Sequence, residues 1–346
     1  MAHLADSRWN AAQYKVSQVA QRPEMKKKTP AAIQATLLGN PILVPASERE
    51  RVWNVKTSDQ HVAEINILKK VSVVEGTKRV YNHQGAKGDS KKAALTWNSY
   101  TASVATSLKQ MDRNIFTAAE SEAMDILSCI NNIHDRIETG VIAALNLNKS
   151  QVVQNLNPKG LTWDPVAFMA SISQNDKKVA FQRLKSFMRQ QYYRGALDFV
   201  HDEGFYQMLE WVINQGSSNS ENLAWQLQNV SGFASTEISD AGYEASGYAF
   251  ERGSIALLTW IPEINRRGHG DTFANGGMFS TINDPYGLPF QYAVHRYAAG
   301  VDNDGTTAES QDVDIFTEVS LDWSFVMPPV GVDNESPIYK IGVLGL

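Results

Sequence analysis

The sequence predicts an α+β fold organised around one long helix. Three observations carry this. Phe116, Ala119, Ala123, Ile126, Ile130, Ile133, Ile137, Val141 and Ala144 recur three or four residues apart, the spacing of a single helix face. From Ile315 to Val326 apolar and polar residues alternate as in a strand with one buried face. Ahead of the helix lie a proline-punctuated stretch and then a β-rich stretch with a glycine- and lysine-rich centre, neither able to bury a core alone.

In chain order, residues 1–50 read as an arm. Trp9, Ala12, Val16, Val19 and Ala20 suit a short amphipathic turn or two, and Pro23, Pro30, Pro41 and Pro45 argue against a long helix or a central strand. The Lys26–Lys28 triplet either touches nucleic acid or an acidic partner or is simply solvated. Residues 51–108 read as an extended two-stranded excursion. Val62, Ile65, Ile67, Leu68, Val71, Val73 and Val74 form its outward strand, Gly76 to Lys92 its polar tip, and Ala93 to Leu108 its return.

The long helix runs from Asp112, which suits an N-cap, to about Leu147, a span of about 50 Å at ~1.5 Å per residue. Its apolar stripe reads as narrow, with Glu120, Glu122, Asp125, Asp135, Arg136 and Glu138 on the other faces. That pattern fits a strut laid on a sheet rather than a buried rod, with a coiled-coil pair as the alternative. Leu161 to Asp176 reads as a loop or short turn. Asp176 then opens a helix with Val179, Phe181, Leu184, Phe187, Met188 and Tyr192 on its apolar side, a basic face of Lys177, Lys178, Arg183, Lys185 and Arg189, and Gly195 at its end. A further helical block is expected from Ala196 to Ile213, a turn at 216–220, and a short helix from Glu221 to Val230. From Ser231 glycines multiply, and strands are expected at Ile255–Ile261, Phe290–Tyr297 and Ile315–Val326, with a type I turn at Asp284-Pro285-Tyr286-Gly287. In the last strand Ile315, Val319, Leu321, Trp323 and Phe325 face one way and Glu318, Ser320, Asp322 and Ser324 the other, and Pro328-Pro329 end it.

The single cysteine, Cys129, excludes an internal disulfide framework and a cysteine-built metal site, and reads as a small packed hydrophobe. No apolar run approaches the ~20 residues of a membrane span, and no signal peptide is evident. A cytosolic origin is expected, which makes the Asn-x-Ser triplets at Asn148, Asn229 and Asn334 incidental. Charge is polarised along the chain. Residues 1–100 carry 16 basic against 8 acidic residues, residues 101–194 carry 11 against 8, and residues 195–346 carry 5 against 21. A basic front and an acidic back suit docking of one on the other, within a molecule or between copies, or else both sets face water.

No catalytic constellation emerges, and no cofactor-binding or metal-binding residue is assigned. There is no P-loop, no Gly-x-Ser-x-Gly elbow and no His-Glu-x-x-His helix, and Gly268-His269-Gly270 lacks the third glycine of a dinucleotide fingerprint. His201-Asp202-Glu203 reads as a solvated surface cluster. His83, His134, His269 and His295 are scattered. Arg266-Arg267 suits a phosphate, an interface or a pore-side charge.

The order of arm, long ribbon, strut helix, α+β body and final alternating strand before Pro-Pro resembles the major capsid proteins of tailed bacteriophages, the Hong Kong 97-type fold shared with encapsulin shells. The closest local likenesses are Gly253-Ser254-Ile255-Ala256-Leu257-Leu258-Thr259-Trp260, similar to an axial-domain strand, and residues 314–326, similar to the last peripheral strand. The resemblance implies an arm (1–50), an extended loop (51–108), a peripheral domain with a spine helix (109–195), an axial domain (196–304) and a return to the peripheral domain (305–346). It implies a virion protein made in the host bacterial cytoplasm and not an enzyme. Its partners would be further copies of itself in pentamers and hexamers, scaffolding, portal and decoration proteins, and packaged DNA by non-specific contact, without a membrane. Some relatives crosslink a loop lysine; Lys87, Lys91 and Lys92 lie in the corresponding region, and no crosslink is carried over. Because the arm is short and starts at Met1, a separate scaffold or none is expected. Such a subunit is also expected to lack a sufficient interior and to draw stability from its neighbours. An encapsulin-like cargo shell is the near alternative. A soluble α+β enzyme using His201, Asp202 and the Arg266-Arg267 loop, and a nucleic-acid module using Lys26–Lys28 and the basic face at 177–189, are the others.

Overall fold

In the computed structural model the described residues are 2–22, 30–58, 64–68, 90–107, 118–154, 161–216, 229–268, 277–302, 311–328 and 334–345. The lysine triplet, the ribbon tip with Lys87, Asp112, Phe116, His83, His269, the turn at 217–220, the helix expected from Glu221 and Pro329 lie outside them.

The long helix is α4 (Ala118–Leu147). Ala123, Ile126, Ile130, Ile133, Ile137 and Val141 are buried as their spacing requires. The stripe is nevertheless broad. Leu127, Cys129, Leu145 and, against expectation, Glu122, His134 and Glu138 are buried too, so the exposed arc narrows to residues such as Ser128, Asn132, Arg136 and Thr139. The cause is that α4 is covered twice, by β3 (Asn98–Ser107) and β12 (Gln311–Val326) of a sheet and, on other sides, by α1 (Ala2–Val19) and α2 (Ala31–Leu43).

The first 58 residues therefore do not lack long helices. Pro30 stands at the N-cap of α2, Pro45 immediately before α3 (Ala46–Ser58), and Pro41 in the last turn of α2. Prolines at helix starts remove only N–H groups that have no intrahelical partner. Trp9, Ala12, Val16, Val19 and Ala20 enter the main core beside α4. Asn40 clamps α2 onto strand β9 (Ala256–Trp260), its amide donating to the Leu257 carbonyl and accepting from the Leu257 N–H, both at 2.7 Å.

Two sheets follow. The five-stranded sheet has the order β10 (Met278–Asn283), β11 (Gln291–Asp302), β12, β3, with β9 also paired to β12. All its pairs are antiparallel, and the turn expected at 284–287 joins β10 to β11. In β12, Ile315, Val319, Leu321 and Trp323 are buried as their alternation predicts, and Thr317 shares that face. Gly140 lets α4 lie close to this sheet; a Cβ there would sit 2.6 Å from the Trp323 ring.

The six-stranded sheet has the order β4 (Thr162–Asp164), β5 (Met169–Ile172), β13 (Tyr339–Leu344), β8 (Tyr243–Glu251), β6 (Leu197–His201), β7 (Val230–Ala234). Every residue of β5 and β6 is buried, because both faces are covered. Phe199, Ala245, Ala249 and Tyr339 pack under α5 (Ala180–Gln190) and α6 (Glu203–Gly216), whereas Val200, Tyr248 and Phe250 join the main core. Several expectations change here. The loop at 161–176 contains two strands, and the helical block from Ala196 begins as β6, since a short apolar run such as Leu197–Val200 suits either state. Helix α5 follows a 3-10 turn (Gln174–Val179), ends before Gly195, and leaves Tyr192 exposed with a positive φ of 67°.

Strands β1 (Glu64–Leu68) and β2 (Ser90–Ala94) form the expected antiparallel ribbon and pair with no third strand among the described residues. Its return is shorter than expected. The chain leaves the ribbon at Leu95 and continues as β3 in the five-stranded sheet, because Leu95 is buried with Val44, Val52, Ala256, Leu258 and Val326 in a small third cluster. The sheets also group residues across the expected boundaries. Residues 161–195 belong with the six-stranded sheet, β9 to β11 with the five-stranded one, and β13 returns to the centre of the former. The main core draws on α1, α2, α4 and both sheets, so the chain has an interior of its own, contrary to expectation.

Candidate functional site

The residues weighed as catalytic are not brought together. His201 ends β6 and is 1% exposed rather than solvated, with Nδ1 2.8 Å from the Asp202 carbonyl oxygen; burial lowers its pKa. Asp202 caps α6, its carboxylate accepting from the Phe205 N–H at 3.1 Å and the Ser246 N–H at 2.7 Å, with burial raising its pKa against those bonds. Arg266, in the short helix α7 (Glu263–Arg267), lies over Trp53 at 4.8 Å and donates to Thr57 Oγ1 at 3.0 Å, while Arg267 pairs with Glu263. A cavity of about 440 Å3 is lined by Arg49, Trp53, Asn54 and Arg266 and by neither His201 nor Asp202. Cys129 is buried, and its thiol is pushed up to about 11, first by burial and then by Asp125, as suits a packed hydrophobe. Among the described residues no group of three or more His, Cys, Asp and Glu side chains is placed to hold a metal ion, and no helix is long and apolar enough to cross a membrane.

The buried polar groups instead fasten α4 to its surroundings. Glu138 accepts from the N–H groups of Ala32 at 2.8 Å and Ile33 at 3.0 Å and from Ser235 Oγ at 3.0 Å, which caps α2 from another helix. Burial raises its pKa despite these bonds. Glu122 pairs with Arg296 of β11, whose guanidinium lies 4.9 Å from the Trp9 ring. His134 Nε2 is 2.7 Å from Asp284 Oδ2, and Tyr292 Oη reaches both. Helical spacing contained the signal for these residues. Glu122 stands four before Ile126, and His134 and Glu138 continue a row through Leu127 and Leu145, but their polarity made them read as surface positions.

What remains are surfaces. At the root of the ribbon, Lys56 lies between the rings of Trp97 (4.5 Å) and Trp260 (4.4 Å) and pairs with Asp322 at 2.6 Å, so one front-half cation docks on the acidic back half within the same chain. Lys91 and Lys92 lie in β2, opposite Ile67 and Asn66. On the basic helix, Lys177 pairs with Glu244 at 3.0 Å, Arg183 with Asp176 at 3.4 Å, and Lys178 lies 5.5 Å from the Trp211 ring. His295 stacks on Phe279 at 4.4 Å and pairs with Glu318 at 3.2 Å.

The chain is thus an α+β protein of two sheets on a long helix, with a two-stranded ribbon and no convergent catalytic cleft among its described residues. Solved structures similar to it include a chain from Mycobacterium phage Che8, at 9% identity over 84% of this chain and 87% of that one, TM-score 0.45. Another is from Mycobacterium phage Bobi, at 10% identity over 94% of each, TM-score 0.44. A third is a chain of the asymmetric unit of the bacteriophage PhiM1 mature capsid, at 11% identity over 83% and 84%, TM-score 0.43. At TM-scores below 0.5 these are similarities of overall path, and they carry no functional weight. No protein-family model and no curated protein matches the chain.

Proposed function

We propose that this chain is a major capsid protein of the Hong Kong 97 type, a subunit that assembles with copies of itself into the icosahedral head shell of a tailed bacteriophage. The observation that carries the reading is the combination of a 30-residue helix laid on a sheet drawn from distant parts of the chain with a ribbon that pairs with no third strand among the described residues. A two-stranded ribbon edge is a surface to which a neighbouring copy can add a strand. In this reading the peripheral domain comprises the described residues within 98–147 and 256–326, and the axial domain those within 161–251 and 339–344. Pentamers and hexamers, the virion location after synthesis in the bacterial cytoplasm, and contacts with scaffold, portal, decoration proteins and packaged DNA follow from the same proposal.

Negative-stain electron microscopy of the expressed full chain tests it. Shells, tubes or capsomers are expected, and a monodisperse monomer at all concentrations would overturn it. Charge reversal at Lys87, Lys91 and Lys92 together is expected to block particle formation while leaving the subunit folded, and normal particle yield would reject basic docking of the ribbon.

A further inference from the structure

The basic residues of the 3-10 turn and of α5 fall into two groups. Lys177, Lys178 and Arg183 are engaged locally by Glu244, Trp211 and Asp176. The other end of the helix is different. Lys185 and Arg189, one turn apart, line a cavity of about 270 Å3 with Arg194, Gln182, Ser186 and Tyr193. Among the described residues no acidic side chain lines it. Neither Arg189 nor Arg194 has an ion-pair partner among the described residues, and both are exposed to an incoming ligand. Of the adjoining acids, Glu335 and Glu251 act on Tyr193, raising its pKa further after burial has done so. Glu251 accepts from the Gly195 N–H at 2.6 Å at the rim, and Asp198 is held by Arg252 at 2.6 Å. Burial, and then the nearby Arg189, lower the pKa of Lys185, the behaviour of a cation that shares a confined space with another cation.

We propose that this cavity binds a phosphate-class oxyanion. The two guanidinium groups of Arg189 and Arg194 offer forked donors suited to a phosphoryl group, and hydroxyl and amide groups of Ser186, Tyr193 and Gln182 stand beside them. The volume lies just below the ~300 Å3 at which pockets for drug-sized organic ligands begin, which favours a small anion over an organic cofactor. The source of the phosphate is either a free polyphosphate or the backbone of a nucleic acid. The site belongs to the single subunit and does not depend on the shell reading.

The test uses the full chain and two probes: inorganic tripolyphosphate by titration calorimetry, and a fluorescein-labelled oligothymidylate by anisotropy. Arg189→Gln and Arg194→Gln are each expected to weaken binding about tenfold, the double variant to abolish it, and Lys177→Gln, whose cation is paired elsewhere, to leave it unchanged. Loss in the double variant of tripolyphosphate binding alone identifies a free anion as the source. Loss of oligothymidylate binding identifies nucleic acid. Absence of binding for both probes, or binding that the double variant retains, overturns the proposal.

Discussion

Glu138 offers a direct measure of how firmly the first helices are held by the spine. Its carboxylate meets three donors, two of them the otherwise orphaned first N–H groups of α2, in a region where Ala32 and Ile33 are 0% and Ser235 2% exposed. Glu138→Ala strands all three without water. Each buried donor left unsatisfied costs about 1–3 kcal/mol, so stranding three is expected to cost about 3–5 kcal/mol after partial relaxation. At ~1.4 kcal/mol per decade, amide protection across α2 should fall about a hundredfold to a few thousandfold if α2 opens as a local unit. Glu138→Gln should fall between wild type and Ala, since its remaining oxygen still serves Ala32 and Ser235 while its NH2 opposes the Ile33 N–H. Ser235→Ala, which removes one donor and leaves the cap, should cost only about 1 kcal/mol. Hydrogen exchange is the suitable assay because a 346-residue chain of two sheets need not unfold in one step. Protection of α2 in Glu138→Ala within threefold of wild type would refute the capping argument.

Other perturbations test other joints. Glu122→Ala should destabilise by about 3–5 kcal/mol, whereas Glu122→Met with Arg296→Leu should recover most of the loss, as measured by a double-mutant cycle in urea; equal losses in both would count against a buried pair. Lys56→Met keeps the stem between Trp97 and Trp260 but removes its charge from Asp322, and should cost about 1–2 kcal/mol, seen as faster exchange at 90–95; unchanged exchange there would remove Lys56 as the ribbon's anchor. His201 has a folded pKa below its ordinary 6.5, so its contribution is present above pH 6.5 and lost as pH falls through the folded value; Glu138, Asp198 and Asp202, raised by burial, act oppositely, contributing fully below about 4 and losing stability as pH rises through their folded values. Urea midpoints between pH 4 and 7 should therefore rise relative to wild type on the acid side in His201→Gln, and parallel curves would refute this.

The elements legible in the sequence were those whose pattern is long or strict. The α4 periodicity marks Ala123, Ile126, Ile130, Ile133, Ile137 and Val141, and the β12 alternation marks Ile315, Val319, Leu321 and Trp323, all buried, although the alternation breaks at the strand's end, where Ser324 is buried and Phe325 half-buried. Short segments were not legible. Leu197–His201 and Met169–Ile172 are covered on both faces, so they show no alternation that would mark them as strands. The prolines of the first 50 residues misled because their effect depends on whether they fall inside a helix or at its start, a boundary that tertiary contacts fix. The anchors Glu122 and Glu138 were hidden for a related reason. A glutamate is read as solvated until a partner such as Arg296 or the α2 N-terminus is brought to it from more than 100 residues away.

The position of α1 and α2 changes what assembly has to supply. The chain order suggested a subunit that depends on its neighbours for an interior, yet Trp9, Val16 and Ile33 lie in the same core as Ile130, Tyr292 and Leu321. On the proposed shell function, dependence on neighbours would be confined to the ribbon and the outer faces, and folding would be separable from shell formation. A dissociated full-length subunit should keep the amides of α4, β11 and β12 protected to near the level in particles, while those of β1 and β2 exchange at once, because a two-stranded ribbon is marginal without further packing. Loss of α4 protection upon dissociation would mean that the core seen within one chain is not self-sufficient. The contacts between α1 and α4 would then hold only under the restraint of adjacent copies.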